Sequence, residues 1–296
     1  MIWVTWRQHR TQAVICLGLF GFIAIAAVAF GVWMRATFSG DGLGACLAHS
    51  GGAGCPAAIS SFTRTFNGGA TLPLNLLMFV IPGFLGAVVG APLLGQELER
   101  GTWRLAWSQT VPRTQWLITK LALVMGGLIV FGAAVSVVMT WAREPLDRVS
   151  VRLQPPPFNF EGLSLTSSLL CAFALAVLAG LLLRNTIGAM AAGYFAWEMP
   201  FLVVILLNGP LRIMTTTTRL PCAHGCAGAS ANSVPPVTGH LGDLVLDVTR
   251  SGNQIVVTYM PGSAFWRLQF IGAGIYLAIA AAALGVAVWL LHRRTT

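Results

Sequence analysis

The residues best suited to catalysis are scarce in this sequence and lie far apart. The only lysine, Lys120, follows Leu-Ile-Thr and does not complete the Gly-Lys-Ser/Thr turn of a phosphate-binding loop. No aspartate lies inside a long apolar stretch, and a buried Ser–His pair or aspartyl dyad therefore lacks its parts. The histidines also lie outside such stretches, at His9, His49, His224, His240 and His292. The sequence predicts that the chain is not an enzyme and holds no cofactor of its own.

Glu198 is the one carboxylate inside a long apolar stretch, in Ala-Trp-Glu-Met-Pro. An isolated charge at that depth is costly, so Glu198 must be protonated, paired, or in contact with water or a bundle interior. One interpretation places it on a substrate or proton path. The alternatives are that it bonds backbone groups freed by Pro200 or a neighbouring helix, or that it lies nearer the outer interface.

The cysteines outside the apolar stretches form two local pairs. Cys46 and Cys55 lie in one connection, and Cys222 and Cys226 lie in another. Local pairing in an oxidising compartment favours the disulfides Cys46–Cys55 and Cys222–Cys226, although other connectivities stay open. His224 lies between the second pair, but no fourth ligand for a soft metal is nearby, so we predict no metal site.

The stretch 95–113 has the pattern of a short amphipathic helix. Two acidic residues near its start suit the positive end of a helix dipole. Two tryptophans and two arginines then recur at a spacing of four, which forms an aromatic row beside a basic row. Pro112 ends the pattern. The acidic, basic and aromatic residues are, in chain order, Glu97, Glu99, Arg100, Trp103, Arg104 and Trp107.

Composition places this stretch in a membrane protein. The chain is 56% hydrophobic and 9% charged, whereas soluble domains carry about 25% charged residues. About 20 apolar residues are needed to span a bilayer. Six stretches qualify, at 13–34, 72–94, 121–141, 163–183, 186–207 and 270–291. We therefore predict an all-α polytopic membrane protein with one transmembrane domain over 1–296.

Basic residues set the orientation of these spans. Arginines cluster before the first span, between spans two and three, between spans four and five, and after the sixth. The positive-inside rule places these four regions and both termini in the cytoplasm. The net charge of +9 follows from this arrangement, and no basic soluble face indicates nucleic acid. Seventeen arginines against one lysine indicate a GC-rich bacterial genome, and the spans then predict the bacterial plasma membrane.

Two further elements flank the spans. Residues 1–12 combine tryptophans with arginines and predict an amphipathic elbow helix on the inner leaflet. In the external loop 208–262, the segments 244–249 and 254–259 alternate in polarity around a Gly-Asn turn, which predicts a β-hairpin. The external side is therefore expected to carry small β-containing loops.

Span two carries a stripe of small or helix-bending residues. Pro82, Gly86 and Gly90 recur at a spacing of four, so another helix can approach closely along this face. The stripe fits three uses that the sequence leaves open: packing within the chain, a dimer seam, or part of a translocation path.

The stretch 95–113 also contains a recognisable motif. It reads Glu97-x-Glu99-x-Gly101-Thr102, then Ser108-Gln-Thr-Val-Pro-Arg113, with Lys120 at the start of the next predicted helix. The motif resembles the coupling-helix signature of ABC-2 type permeases, the membrane subunits of ABCG-like (type V) ABC exporters. The predicted plan is similar to the family's as well: an elbow, six spans, both ends inside and a large loop before the last span.

The resemblance implies a permease that moves a hydrophobic or amphipathic substrate out of the cell. It implies two copies of a separate ATPase subunit, which bind ATP and magnesium, and a second permease subunit, identical or paralogous. The residues implied to couple to the ATPases are Glu97, Glu99, Arg100, Gly101, Thr102, Trp103, Arg104, Trp107 and Arg113. The alternatives are a stand-alone channel or proton-coupled carrier using Glu198, and a membrane-anchored sensor that binds a ligand at its external loops.

Overall fold

The computed structural model describes residues 2–48, 55–69, 72–99, 113–153, 157–207, 215–221, 243–251 and 254–293. The main helices are α1 Ile2–Gly40, α2 Leu43–Ala48, α3 Cys55–Arg64, α4 Leu72–Glu99, α5 Arg113–Asp147, α6 Pro157–Phe160, α7 Ser164–Leu183, α8 Thr186–Leu207 and α9 Phe265–Arg293. The strands are β1 Thr216–Pro221, β2 Leu244–Ser251 and β3 Gln254–Met260. A π-helical turn, Thr65–Gly69, follows α3, and a 3₁₀ turn, Gly262–Ala264, precedes α9.

Four helical stretches are long and apolar enough to cross a membrane, counted over the described residues alone. They are Gly21–Gly40, Leu117–Asp147, Ser164–Leu183 and Gly262–Arg293. Within α4, a shorter apolar segment covers Val80–Gln96. The backbones of α4 and α8 are helical over 28 and 22 residues, which matches the length that a bilayer requires.

Helix α7 lies at the centre of the bundle. Of its 20 residues, 14 are buried, and it packs against α4, α5, α8 and α9. We call the end of the bundle that holds Cys46 and Cys55 the cap end, and the end that holds Glu99, directly before residues 100–112, the loop end. Because α7 contacts four helices, a displacement of any one of them presses on it.

The small residues of α4 let it pack directly on α7. A Cβ atom added at Gly86 would lie 2.5 Å from the Ala172 Cβ, and one at Gly90 would lie 2.5 Å from the Phe173 carbonyl oxygen. Both distances are far below van der Waals contact, so only glycine fits. The two glycines thus serve packing within the chain, and a role on a substrate path stays a prediction.

Two helices extend beyond the bounds expected from sequence. Helix α1 is continuous over 39 residues, whereas the sequence predicts an elbow at 1–12 and a separate span at 13–34. It contains no proline and its first glycine is Gly18, so nothing near position 12 breaks it. A helix of this length is about 58 Å long and exceeds a hydrocarbon core of roughly 30 Å.

Helix α4 likewise continues past its expected end at 94, through Pro92 and Gly95, to Glu99. Glu97 and Glu99 therefore lie in the last turn of α4 and not in the first turn of a new helix, where the dipole argument placed them. A proline this far inside a helix costs a backbone hydrogen bond, and burial of this part of α4 against α7 offsets that loss.

The β-hairpin expected in the external loop is confirmed. Strands β2 and β3 pair antiparallel, with Val248 opposite Val257 and Ser251 opposite Gln254. The sequence reasoning missed β1, which pairs with the other edge of β3 to give the order β1-β3-β2. Its signal was the run of β-branched threonines at 215–218.

The expected Cys46–Cys55 disulfide is present, with a Cα–Cα distance of 5.6 Å. It joins α2 to α3 beside an apolar cluster that these helices share with the ends of α1 and α5. The buried members of this cluster are Met34, Leu43, Phe62, Phe66, Leu146 and Val149. Cys222 and Cys226 lie outside the described residues.

The contact between α4 and α7 predicts that Gly90→Ala destabilises the protein. The added methyl group would press on the Phe173 carbonyl, and such overpacking costs about 1–3 kcal/mol. The variant should unfold at a lower midpoint temperature in detergent. Size-exclusion chromatography after heating measures the fraction that remains folded. Gly126→Ala is the matched control, because nothing lies within 4 Å of the Cβ it adds in α5. An equal decrease in both variants would contradict the packing assignment.

Candidate functional site

A hydrogen-bonded contact joins α4 to the start of α8 at the loop end. The Glu99 carboxylate oxygen Oε2 accepts hydrogen bonds from the Thr186 backbone N–H, at 3.2 Å, and from the Thr186 hydroxyl, at 2.8 Å. The first N–H groups of a helix have no partner inside that helix. Glu99 therefore caps α8 from a different helix.

The remainder of the α8 start is capped locally. The side chain of Asn185 accepts a hydrogen bond from the Gly188 N–H at 3.1 Å, as an N-cap residue does. Arg184, just before it, has a left-handed conformation (φ 51°) and ends α7 through a hydrogen bond from its N–H to the Gly180 carbonyl. Two residues thus reverse the chain between α7 and α8.

Backbone packing supports the same contact. A Cβ atom added at Gly95 would lie 3.5 Å from the Gly180 Cα and 3.6 Å from the Thr186 Cα. A Cβ at Gly180 would lie 2.9 Å from the Ala91 carbonyl oxygen. The last two turns of α4 therefore lie directly against the turn between α7 and α8, with no side chain between the backbones.

Most of the predicted coupling residues lie outside the described part of the chain. They are Arg100, Gly101, Thr102, Trp103, Arg104 and Trp107. Glu97 is in the α4 backbone and Arg113 begins α5, so the segment 100–112 connects these two helices directly. Of the predicted set, the structure brings Glu99 into contact with a neighbouring element.

Glu198 lies in the middle of α8 and is half-buried. Tyr194 lies one turn earlier on the same face of α8. The neighbour of Glu198, Trp197, is buried against α4, where a Cβ at Gly83 would lie 2.2 Å from the indole ring. The place of Glu198 on a substrate or proton path stays a prediction.

A buried ionic cluster ties α5 to the start of α7 at the cap end. Glu161 is fully buried. Its Oε2 accepts hydrogen bonds from Arg152 Nε at 3.0 Å and Nη2 at 2.6 Å, and its Oε1 lies 3.6 Å from Arg143 Nε. Asp147 adds a second carboxylate, 3.3 Å from Arg152 Nε. The cluster thus places two arginines beside two acidic side chains, with Glu161 at its buried centre.

Gln269 of α9 caps α7 at the same end. Its side-chain oxygen accepts hydrogen bonds from the N–H groups of Leu163, at 3.1 Å, and Ser164, at 2.9 Å. Its Nε2 donates to the Phe158 carbonyl at 2.8 Å. The helix start thus lacks a cap of its own and takes one from α9.

Sequence reasoning missed both cap-end features. The acidic and basic residues of 142–162 were assigned no role from the sequence. Gln269 falls one residue before the predicted last span. Two signals indicate such features. A polar residue at the edge of a span indicates a cap, and two charges four residues apart at a helix end indicate an ionic cluster.

A family model described as "ABC-2 membrane transporter related" matches residues 17–208. The match covers 192 of the 296 residues, including α4, the segment 100–112 and all of α8. The chain belongs to this family. No curated protein and no solved structure matches it significantly.

Membership confirms the resemblance to ABC-2 type permeases. Together with the apolar helices, it makes the chain a multi-pass membrane protein of the ABC transporter class. A permease of this family implies association with an ABC ATPase subunit. The loop end, where Glu99 contacts α8 directly before the segment 100–112 in the chain, is therefore the candidate functional site of this permease.

The ionic cluster predicts that Glu161→Gln is strongly destabilising. The change leaves Arg143 and Arg152 without their buried partner, and breaking a buried pair costs about 3–5 kcal/mol. Glu144→Gln is the matched control, since Glu144 pairs with Arg35 and Arg148 on the surface, where a pair contributes less than about 1 kcal/mol. Thermal unfolding of the detergent-solubilised permease should separate the two variants. Equal unfolding midpoints would show that the cluster does not stabilise the cap end.

Proposed function

We propose that the chain is the permease subunit of an ATP-driven ABC exporter in the bacterial plasma membrane. It crosses the membrane six times, has both termini in the cytoplasm, and works with a second permease and two copies of a separate ABC ATPase. The match to the ABC-2 family over residues 17–208 carries the proposal. The lengths of α4 and α8 support the two spans beyond the four that composition and length identify.

The proposed mechanism is mechanical. The segment 100–112 connects the last residue of α4 to the first residue of α5. ATP-driven closure of the ATPases displaces this segment, and both helices move with it. Because α7 packs against α4 and α5, the centre of the bundle rearranges between inward-open and outward-open forms. The aromatic row at Trp103 and Trp107 anchors the ATPase, and Arg100 and Arg104 pair with its acidic residues.

A hydrophobic or amphipathic substrate suits the interior of this bundle. The buried positions of α4 and α7 are almost all apolar or small, and Glu198 is the one carboxylate in the middle of a predicted span. An apolar path rewards apolar substrates, because each buried charge would have to be paired.

We expect Arg104→Glu and Trp103→Ala to weaken coupling to the ATPase. Arginine and tryptophan anchors at interfaces contribute roughly 2 kcal/mol or more, so the permease concentration that gives half-maximal stimulation of the ATPase should rise at least about tenfold. The assay is ATP hydrolysis by purified ATPase titrated with the permease in lipid nanodiscs.

Arg293→Glu is the matched control for this assay. It makes the same charge change at an exposed residue on the same predicted side, outside the coupling segment. Unchanged stimulation in Arg104→Glu and Trp103→Ala, or an equal loss in Arg293→Glu, would count against the coupling segment.

The rival function, a proton-coupled carrier, depends on Glu198 as its titrating group. For the exporter, we expect Glu198→Gln to keep stimulation of the ATPase near the wild-type level, because the carboxylate lies far along α8 from Thr186. The carrier predicts instead a proton flux in ATPase-free vesicles that this substitution abolishes. Measuring pH inside vesicles that contain the permease alone separates the two functions.

A further inference from the structure

We propose that Glu99 is a positioning residue that passes a displacement of the segment 100–112 into α8. The inference rests on the proposed function, since it names the route by which force applied to that segment reaches the bundle. Its basis is the geometry at the loop end, where Glu99 is the last residue of α4 and Thr186 is the first of α8.

The connection is short and has two hydrogen bonds. Glu99 Oε2 accepts from the Thr186 N–H at 3.2 Å and from the Thr186 hydroxyl at 2.8 Å. One bond holds the Thr186 backbone and the other holds the Thr186 side chain. The residue next to Glu99 in the chain is the first of the segment 100–112, so a displacement of that segment acts on the residue that makes the contact.

Helix dipoles favour this pairing. Glu99 faces the positive, N-terminal end of α8, where a carboxylate is favoured. A hydrogen bond to a charged group is also stronger than one between neutral groups. The carboxylate therefore stays with Thr186 as α4 moves.

Backbone packing gives the contact stiffness. Gly95 lies against Gly180 and Thr186 without an intervening side chain, and two residues join α7 to α8. A side chain between the helices would change rotamer under load, whereas packed backbones transmit displacement. Movement of the α4 end therefore carries the start of α8 with it.

Helix α8 delivers the movement to the middle of the bundle. It meets α4 again where Trp197 packs on Gly83, next to Glu198. If the start of α8 moves while Trp197 stays against α4, the residues between Thr186 and Trp197 shift. They include Phe195, on the exposed face of the helix. Glu99 thus links the ATPase side of the permease to the residues in the middle of α8.

The test follows α8 in the complete permease–ATPase complex in nanodiscs. A fluorescent amino acid replaces Phe195, and the emission change on adding ATP with orthovanadate is measured. We expect a clear change in the otherwise wild-type complex and a change about tenfold smaller in Glu99→Ala, as the loss of hydrogen bonds to a charged group predicts. Thr186→Val should also reduce the change, and the conservative Thr186→Ser should keep it.

Asn185→Ala is the matched control. It removes the local cap of α8 but leaves the contact with α4, so it should lower helix stability without reducing the response. A full response in Glu99→Ala, or an equal loss in Asn185→Ala, overturns the role of Glu99. If the ATPase does not bind, or if the wild-type complex gives no response to nucleotide, the proposed function itself fails and the inference fails with it.

Discussion

A helix that starts inside or beside a membrane must find partners for its first N–H groups, and this constraint organises the permease. Water is not available to pair them in the apolar region, and an unpaired group there is costly. Helix α7 takes its partner from Gln269 of α9. Helix α8 takes one partner from its own Asn185 and one from Glu99 of α4. The caps from Gln269 and Glu99 each join two helices that are distant in sequence. Satisfying the backbone therefore also fixes which helices are neighbours.

The two caps lie at opposite ends of the bundle and have different surroundings. At the cap end, Gln269 is fully buried and adjoins the ionic cluster around Glu161, so many bonds must break together for this end to move. At the loop end, Glu99 is exposed, and its two hydrogen bonds to Thr186 join α4 to α8. Buried ions and a buried cap thus hold the cap end, whereas an exposed contact joins the helices beside the predicted coupling segment.

Sequence patterns predicted those parts of the fold that depend on local periodicity. The helix at 186–207, the hairpin around 250–253 and the Cys46–Cys55 disulfide all agree with the structure. The continuity of α1 and the extension of α4 to Glu99 were missed, because tryptophans and prolines marked boundaries that the helices run through. Of the candidate site, the motif indicated Glu99 but not Thr186. Their contact depends on how α4 packs against the turn before α8, and packing between distant segments leaves no periodic signal in one sequence.

The central claim is that a separate ABC ATPase acts on the segment 100–112. It is tested most directly by placing a photoreactive amino acid at Trp103 in the full chain, co-expressed with its ATPase, and identifying the adduct by mass spectrometry after irradiation. The same probe at Trp266, which is exposed near the cap end, is the control. The account predicts an adduct with the ATPase from position 103 and none from position 266. Adducts with lipid alone at position 103 would contradict it.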